Sequence, residues 1–204
     1  MKKHERIYRE ILIGVLNKTE RFTQLGLSKK CYVSISLVNK VLKNLVEIGA
    51  VEIFPMQFRV LDPSKIIFYW AAKRNIHKDI TQKYYLDMKI IEIEKSLPFI
   101  LTAFSAWRFL RKSVPFEYNQ IYIYVPESEK KLFDLWLRDK PVKKGHENLF
   151  VMFTDDRHLI EVSKKKVVPI PQVFVDIYSL AGFENKYFIN DILENYPIFK
   201  ISLE

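Results

Sequence analysis

Residues 34–48 read Ser-Ile-Ser-Leu-Val-Asn-Lys-Val-Leu-Lys-Asn-Leu-Val-Glu-Ile, and Gly49 follows. Val38, Leu42, Leu45 and Ile48 recur at helical spacing and make one apolar stripe. Ser34 suits an N-cap, because its hydroxyl can accept a free amide of the first turn. Gly49 stands where a helix end favours a left-handed residue. The spacing therefore predicts a helix from about Ile35 to Ile48. With the stripe turned inward, Ser34, Ser36, Asn39, Lys40, Lys43 and Asn44 point outward.

The flanking residues fit a three-helix plan. Ile7, Ile11, Leu12, Val15 and Leu16 predict an amphipathic helix over His4–Leu16. Thr23–Lys30 reads as a short second helix with Leu25 and Leu27 inward, and Tyr32-Val33 as the turn after it. Beyond Gly49, Ala50–Phe54 reads as a strand, Pro55-Met56-Gln57 as a turn and Phe58–Leu61 as the returning strand. Three helices and a hairpin in about 60 residues is the plan of a winged helix-turn-helix.

In such a module the helix that follows the turn lies in the major groove, and its early outward residues meet base edges. Asn39 and Asn44 suit bidentate pairing with adenine, and Ser34 and Ser36 can bond bases or phosphates. Lys40 and Lys43 suit phosphate. Lys29 and Lys30, at the end of the second helix, would add backbone contacts that set register. Arg59 on the wing would reach a flanking phosphate or the minor groove.

Charge supports that reading by its position. The 204 residues hold 33 Lys+Arg against 24 Asp+Glu, a net +9, for which nucleic acid is the natural partner. A solvated, Lys-rich surface is the plain alternative. Residues 1–64 carry net +5, residues 65–95 net +3, residues 96–140 net +2, and residues 141–204 net −1. A merely solvated surface gives no reason for that gradient.

Hydrophobic residues make up 49% of the chain, enough for a packed core. One cysteine excludes an internal disulfide and a Cys-rich zinc site. Apolar runs fall far short of the ~18 residues that span a membrane. No apolar core follows the basic start, so a chain without a signal peptide, cytoplasmic and off the membrane, is expected.

Asp62-Pro63-Ser64 punctuates the chain, which places a domain at 1–64 and a second at 65–204. In the second, helices are expected over Lys65–Lys73, Tyr85–Leu97, Pro98 to about Arg111, Glu127–Arg138 (Leu132, Phe133 and Leu135 inward), Pro171–Leu180 and Lys186–Leu193. Strands are expected over Gln120–Val125, Leu149–Phe153, Arg157–Val162, Lys166–Ile170 and Phe199–Leu203. The class is α+β: a winged helix followed by an α/β mixed-sheet domain.

Catalytic signals are sparse. Gly14, Gly26, Gly49, Gly145 and Gly182 give no phosphate-loop spacing. His4, His77, His146 and His158 are scattered, without metal-ligand spacing. Asp155-Asp156 follows a strand, the usual place for a metal-binding pair, but a tight turn between strands explains it at least as well. Cys31 reads as a small buried hydrophobe, and Trp70, Trp107 and Trp136 as core anchors. No cofactor is implied.

Four phrases carry a family resemblance. Asp62-Pro63-Ser64-Lys65-Ile66-Ile67-Phe68-Tyr69-Trp70-Ala71 resembles the "DP..LL..WA" segment of AbiEi-like proteins, the regulator antitoxins of type IV toxin–antitoxin systems. Leu101–Ala106 resembles their "LTG..AA" helix, Gln120–Val125 their "VYV" strand, and Val168–Tyr178 their "VSPPQLYLDL" segment. The order matches, over most of residues 20–195. The resemblance implies a winged-helix DNA-binding domain, then a degenerate nucleotidyltransferase-like domain, autorepression of an operon and a cognate toxin protein as partner. Ala103 stands where the family has glycine, and Trp107 departs from the second half of its "AA".

An active nucleotidyltransferase needs a Gly-Ser turn and an Asp-x-Asp pair on the next strand to hold two metals. Here the helix has Thr102 and Ser105 without glycine, and the strand has Tyr122 and Tyr124. The expectation is a sequence-specific transcriptional regulator on double-stranded DNA that is not an enzyme. Its second domain would act as scaffold, dimer surface or sensor, and a homodimer would read a repeated site. Two alternatives stand beside it: a nucleotide-acting enzyme using Asp155 and Asp156, and a winged-helix protein-interaction module.

Overall fold

Residues 2–201 are described by a computed structural model. Their first helix, α1 (Lys3–Leu16), buries Ile7, Ile11 and Leu12, and Glu5 at its third position accepts from the Lys2 amide at 3.2 Å. A two-residue strand, β1 (Arg21–Phe22), comes before α2 (Gln24–Cys31), which Thr23 caps through its hydroxyl. Then come α3 (Ile35–Glu47), β2 (Val51–Phe54) and β3 (Gln57–Val60). The strands form an antiparallel sheet in the order β1-β3-β2, with Phe22 opposite Phe58 and Glu52 opposite Arg59. Phe22 and Phe58 stack with ring centroids 5.3 Å apart, which fixes β1 on the sheet. A methyl group at Gly14 would sit 2.4 Å from the Phe22 ring, so this glycine lets strand and helix approach.

The chain divides into two compact units after Arg74, beyond the punctuation at Asp62-Pro63-Ser64. The first is Met1–Arg74 with Asn190–Glu204, the second Asn75–Ile189. The helix after the hairpin, α4 (Pro63–Lys73), belongs to the first unit. Asp62 caps it by accepting from the Lys65 amide. Buried side chains hold it on α1: Trp70 Nε1 donates to Glu5 Oε2 at 3.2 Å, and Arg74 Nη1 lies 3.5 Å from the same carboxylate. The 3₁₀ turn Pro197–Phe199 packs on α4. The strand expected over Phe199–Leu203 is replaced at Phe199 by this turn, and residues 202–203 lie outside the described residues.

The second unit is built on a mixed sheet of β4 (Gln82–Leu86), β5 (Ile100–Thr102), β6 (Ile121–Pro126), β7 (Val142–Lys143) and β8 (Leu149–Thr154), in the order β5-β6-β8-β4-β7. β6 and β8 are parallel and the other pairings antiparallel. Both central strands are buried nearly throughout, as parallel strands covered on two faces must be. The helices are α5 (Ile90–Ser96), α6 (Ala103–Arg111), α7 (Lys130–Arg138), α8 (Arg157–Val162), α9 (Ile170–Tyr178) and the first residues of α10 (Asn185–Asn195), which from Asn190 belongs to the first unit. α6 packs against α9 and β6. The protein is thus α+β, and among the described residues no helix is long and apolar enough to cross a membrane.

Several local expectations change. Tyr85–Leu97 is not one helix: its first residues, Tyr85 and Leu86, close β4 and pair with β7, and α5 starts at Ile90. Residues 100–102 are the edge strand β5 rather than the opening of a helix at Pro98, because they pair with Tyr122–Tyr124. Arg157–Val162 is helical, because Asp156 caps it. Lys166–Ile170 makes only bridges at Val167 before α9 begins. Leu25, Leu132 and Leu135 are exposed, and Phe133 alone anchors α7 in the core.

Candidate nucleic-acid interface

α3 is held from both ends. The Ser34 hydroxyl accepts from the Leu37 amide at 3.2 Å, and Gly49 takes the left-handed conformation at φ +66° just beyond the C-cap Ile48. Val38, Val41, Leu42 and Leu45 are buried. That burial fixes the rotation of the helix, so Ser36, Asn39, Lys40 and Lys43 share the exposed face. Ser34 is also exposed, with its hydroxyl proton still free to donate although one lone pair serves the cap.

Asn44 sits apart from that face. It is half-buried on the flank of α3, where it lines an open cleft of about 420 Å³ together with Lys40. Lys2, His4, Tyr8 and Lys73 line the same cleft. These α1 and α4 residues bring two further cations beside the exposed face of α3. Sequence reading missed them, because Lys2 and Lys73 are 71 positions apart and meet only through the packing of α1 on α4. The Lys73 ammonium lies 3.7 Å from the centroid of the Tyr69 ring. Burial pushes the His4 imidazole below its ordinary pKa; Glu5 opposes that shift, and Lys2 and Lys73 add to it.

The remaining expected contacts differ in availability. Lys29 is exposed at the end of α2. Lys30 pairs with Glu10 at 2.9 Å, which ties α2 to α1. Arg59 is held across the hairpin by Glu52 and lies over the Phe54 ring, 5.5 Å from its centroid. The hairpin tip is apolar and open: Ile53 and Phe54 are exposed, and Met56, at φ +64°, is 91% exposed. Cys31 is buried and its Sγ donates to the Arg6 carbonyl on α1.

Asp155 and Asp156 do not converge. Asp156 is buried and accepts from the Leu159 amide at 3.1 Å as the cap of α8, while Asp155 is exposed. Among the described residues, no group of three His, Cys, Asp or Glu side chains is placed to hold a metal ion. The polar centre of this unit is Asp176 on α9, fully buried. Thr102 Oγ1 donates to its Oδ2 at 2.7 Å, the Tyr124 hydroxyl to the same oxygen at 2.9 Å, and Gln172 Nε2 to Oδ1 at 2.9 Å. The carboxylate thus fastens α9 to β5 and β6. Its signal in the sequence is Gln172 and Asp176, two polar residues four apart in an otherwise apolar helix.

No protein-family model and no curated protein matches this chain.

Proposed function

We propose that the chain is a DNA-binding transcriptional regulator of the winged helix-turn-helix type, with α3 as its recognition helix and the β2–β3 hairpin as its wing. The order α1-β1-α2-α3-β2-β3 with a three-stranded antiparallel sheet supports the module. The observation that carries the reading is the outward face of α3. Ser36, Asn39, Lys40 and Lys43 stand together on a capped, rigid helix, with Lys2 and Lys73 beside it. Cations flanking polar base-readers is the chemistry that duplex recognition requires.

The second unit serves this reading as a non-catalytic part of nucleotidyltransferase-like ancestry. Its buried carboxylates serve structure: Asp156 caps α8, and Asp176 accepts from Thr102, Tyr124 and Gln172. The four sequence phrases that resemble AbiEi-like antitoxins point to autorepression and a cognate toxin as partner. A second reading, a protein-interaction module, is favoured by exposed Leu25, Ile35 and Val46 on α2 and α3. A gel-shift series on the DNA upstream of the gene separates them. The regulator retards that DNA and prefers it over an unrelated duplex of the same length. No retardation at low salt rejects the DNA reading.

A further inference from the structure

In the second unit, a cavity of about 800 Å³ lies along α6, between α5, β5 and the turn at residues 164–167. This is the size of a site for a small organic molecule. Its apolar walls come from Leu97, Phe99 and Leu101, with Phe109 from α6. Its rim is cationic, with Lys95, Lys112, Lys165 and Lys166. Glu94 is the single carboxylate of the lining, and it is neutralised by Arg108 at 2.5 Å while also accepting from the Tyr118 hydroxyl. None of the four lysines pairs with a carboxylate among the described residues.

One detail marks the cavity as more than a basic surface: two of its rim lysines occupy an unusual turn. Lys165 and Lys166 sit at φ +52° and +59°, with the Val167 amide donating to the Lys164 carbonyl at 3.0 Å. Two successive left-handed residues call for Asn-Gly, and lysine is sterically disfavoured at both positions.

We propose that this cavity binds an organic oxyanion with an apolar body. The anionic group faces Lys95, Lys112, Lys165 and Lys166, and the body packs on Leu97, Leu101 and Phe109. The requirement for both parts follows from the lining: lysines alone would suit a bare phosphate, and the apolar walls alone would suit a neutral hydrocarbon. This site is independent of the duplex-binding face.

The test uses the full chain and a fluorescent aromatic sulfonate, anilinonaphthalene sulfonate, beside its neutral counterpart phenylnaphthylamine. The sulfonate is expected to bind the more tightly by about tenfold. The double variant Lys165→Asn, Lys166→Gly suits the turn and so preserves the fold while removing two cations. It should lose roughly tenfold in sulfonate affinity and hold its affinity for the neutral probe. Hexyl phosphate should displace the sulfonate where equal inorganic phosphate does not. Equal binding of the two probes, or an unchanged double variant, overturns the proposal. Displacement by polyglutamate but not by hexyl phosphate also overturns it, and makes the groove a peptide site instead.

Discussion

Arg59 and Glu52 face each other across the hairpin, with Arg59 Nε and Nη2 both 2.7 Å from Glu52 Oε2. The cation proposed for the wing is therefore shared with a carboxylate in the free protein. Glu52→Gln keeps the shape and releases Arg59. Because exposed pairs of this kind are worth at most ~1 kcal/mol, duplex affinity should rise about two- to fivefold in that variant. Fluorescence anisotropy at fixed salt reads it. An unchanged or weaker affinity would show that Arg59 does not reach DNA.

Asn39 is exposed in the middle of the α3 face, where a bidentate contact to adenine fits. Asn39→Ala should lower the ratio of preferred to unrelated duplex affinity by roughly 1–3 kcal/mol, about 5- to 150-fold. Affinity for the unrelated duplex should stay the same. Competition gel shifts measure the ratio directly.

His4 gives a pH dependence of two opposite signs. Burial lowers its pKa from the ordinary value of 6.5, so the imidazole is neutral at pH 7. The unfolded chain takes up the proton first as pH falls below about 6.5, and stability declines until the folded imidazole is protonated as well. A phosphate in the cleft favours the protonated form, so duplex binding should tighten over the same interval. His4→Gln should flatten both curves. Denaturant melts and anisotropy between pH 7.5 and about 5 follow the two effects separately.

Asp176 makes a stability prediction for the second unit. Asp176→Ala removes the acceptor of three buried hydrogen bonds, from the Thr102 hydroxyl, the Tyr124 hydroxyl and the Gln172 amide. Each lost hydrogen bond costs about 1 kcal/mol, so the loss should be about 3 kcal/mol. Urea unfolding measures it, and a variant as stable as the wild type would remove Asp176 from its place as the fastening of α9.

The parts of the fold that were legible in sequence are those set by local chemistry. Ser34, the apolar stripe and Gly49 define α3 to within a residue, and the hairpin after it is nearly as clear. What long-range pairing decides was not legible. β1 is two residues long and exists because Arg21 and Phe22 pair with Arg59 and Phe58. β5 carries apolar residues that suit helix or strand, and pairing with β6 decides. α6 then starts at Ala103, buried with φ +51°, a backbone turn that an alanine gives no reason to expect. In the candidate interface, Ser36, Asn39, Lys40 and Lys43 were readable from helical period alone. The pairing of Lys30 with Glu10 and of Arg59 with Glu52, and the arrival of Lys2 and Lys73, depend on tertiary packing.

The salt dependence of duplex binding tests the recognition face most directly. Each phosphate neutralised adds about 0.9 to the slope of log affinity against log salt. Anisotropy titrations of one labelled upstream duplex, across a series of salt concentrations, should show a steep loss of affinity for the wild-type chain. Lys40→Ala with Lys43→Ala should bind more weakly to every duplex, with a slope shallower by roughly 1.8. A double variant that matches the wild type in affinity and slope would contradict α3 as the element that enters the groove.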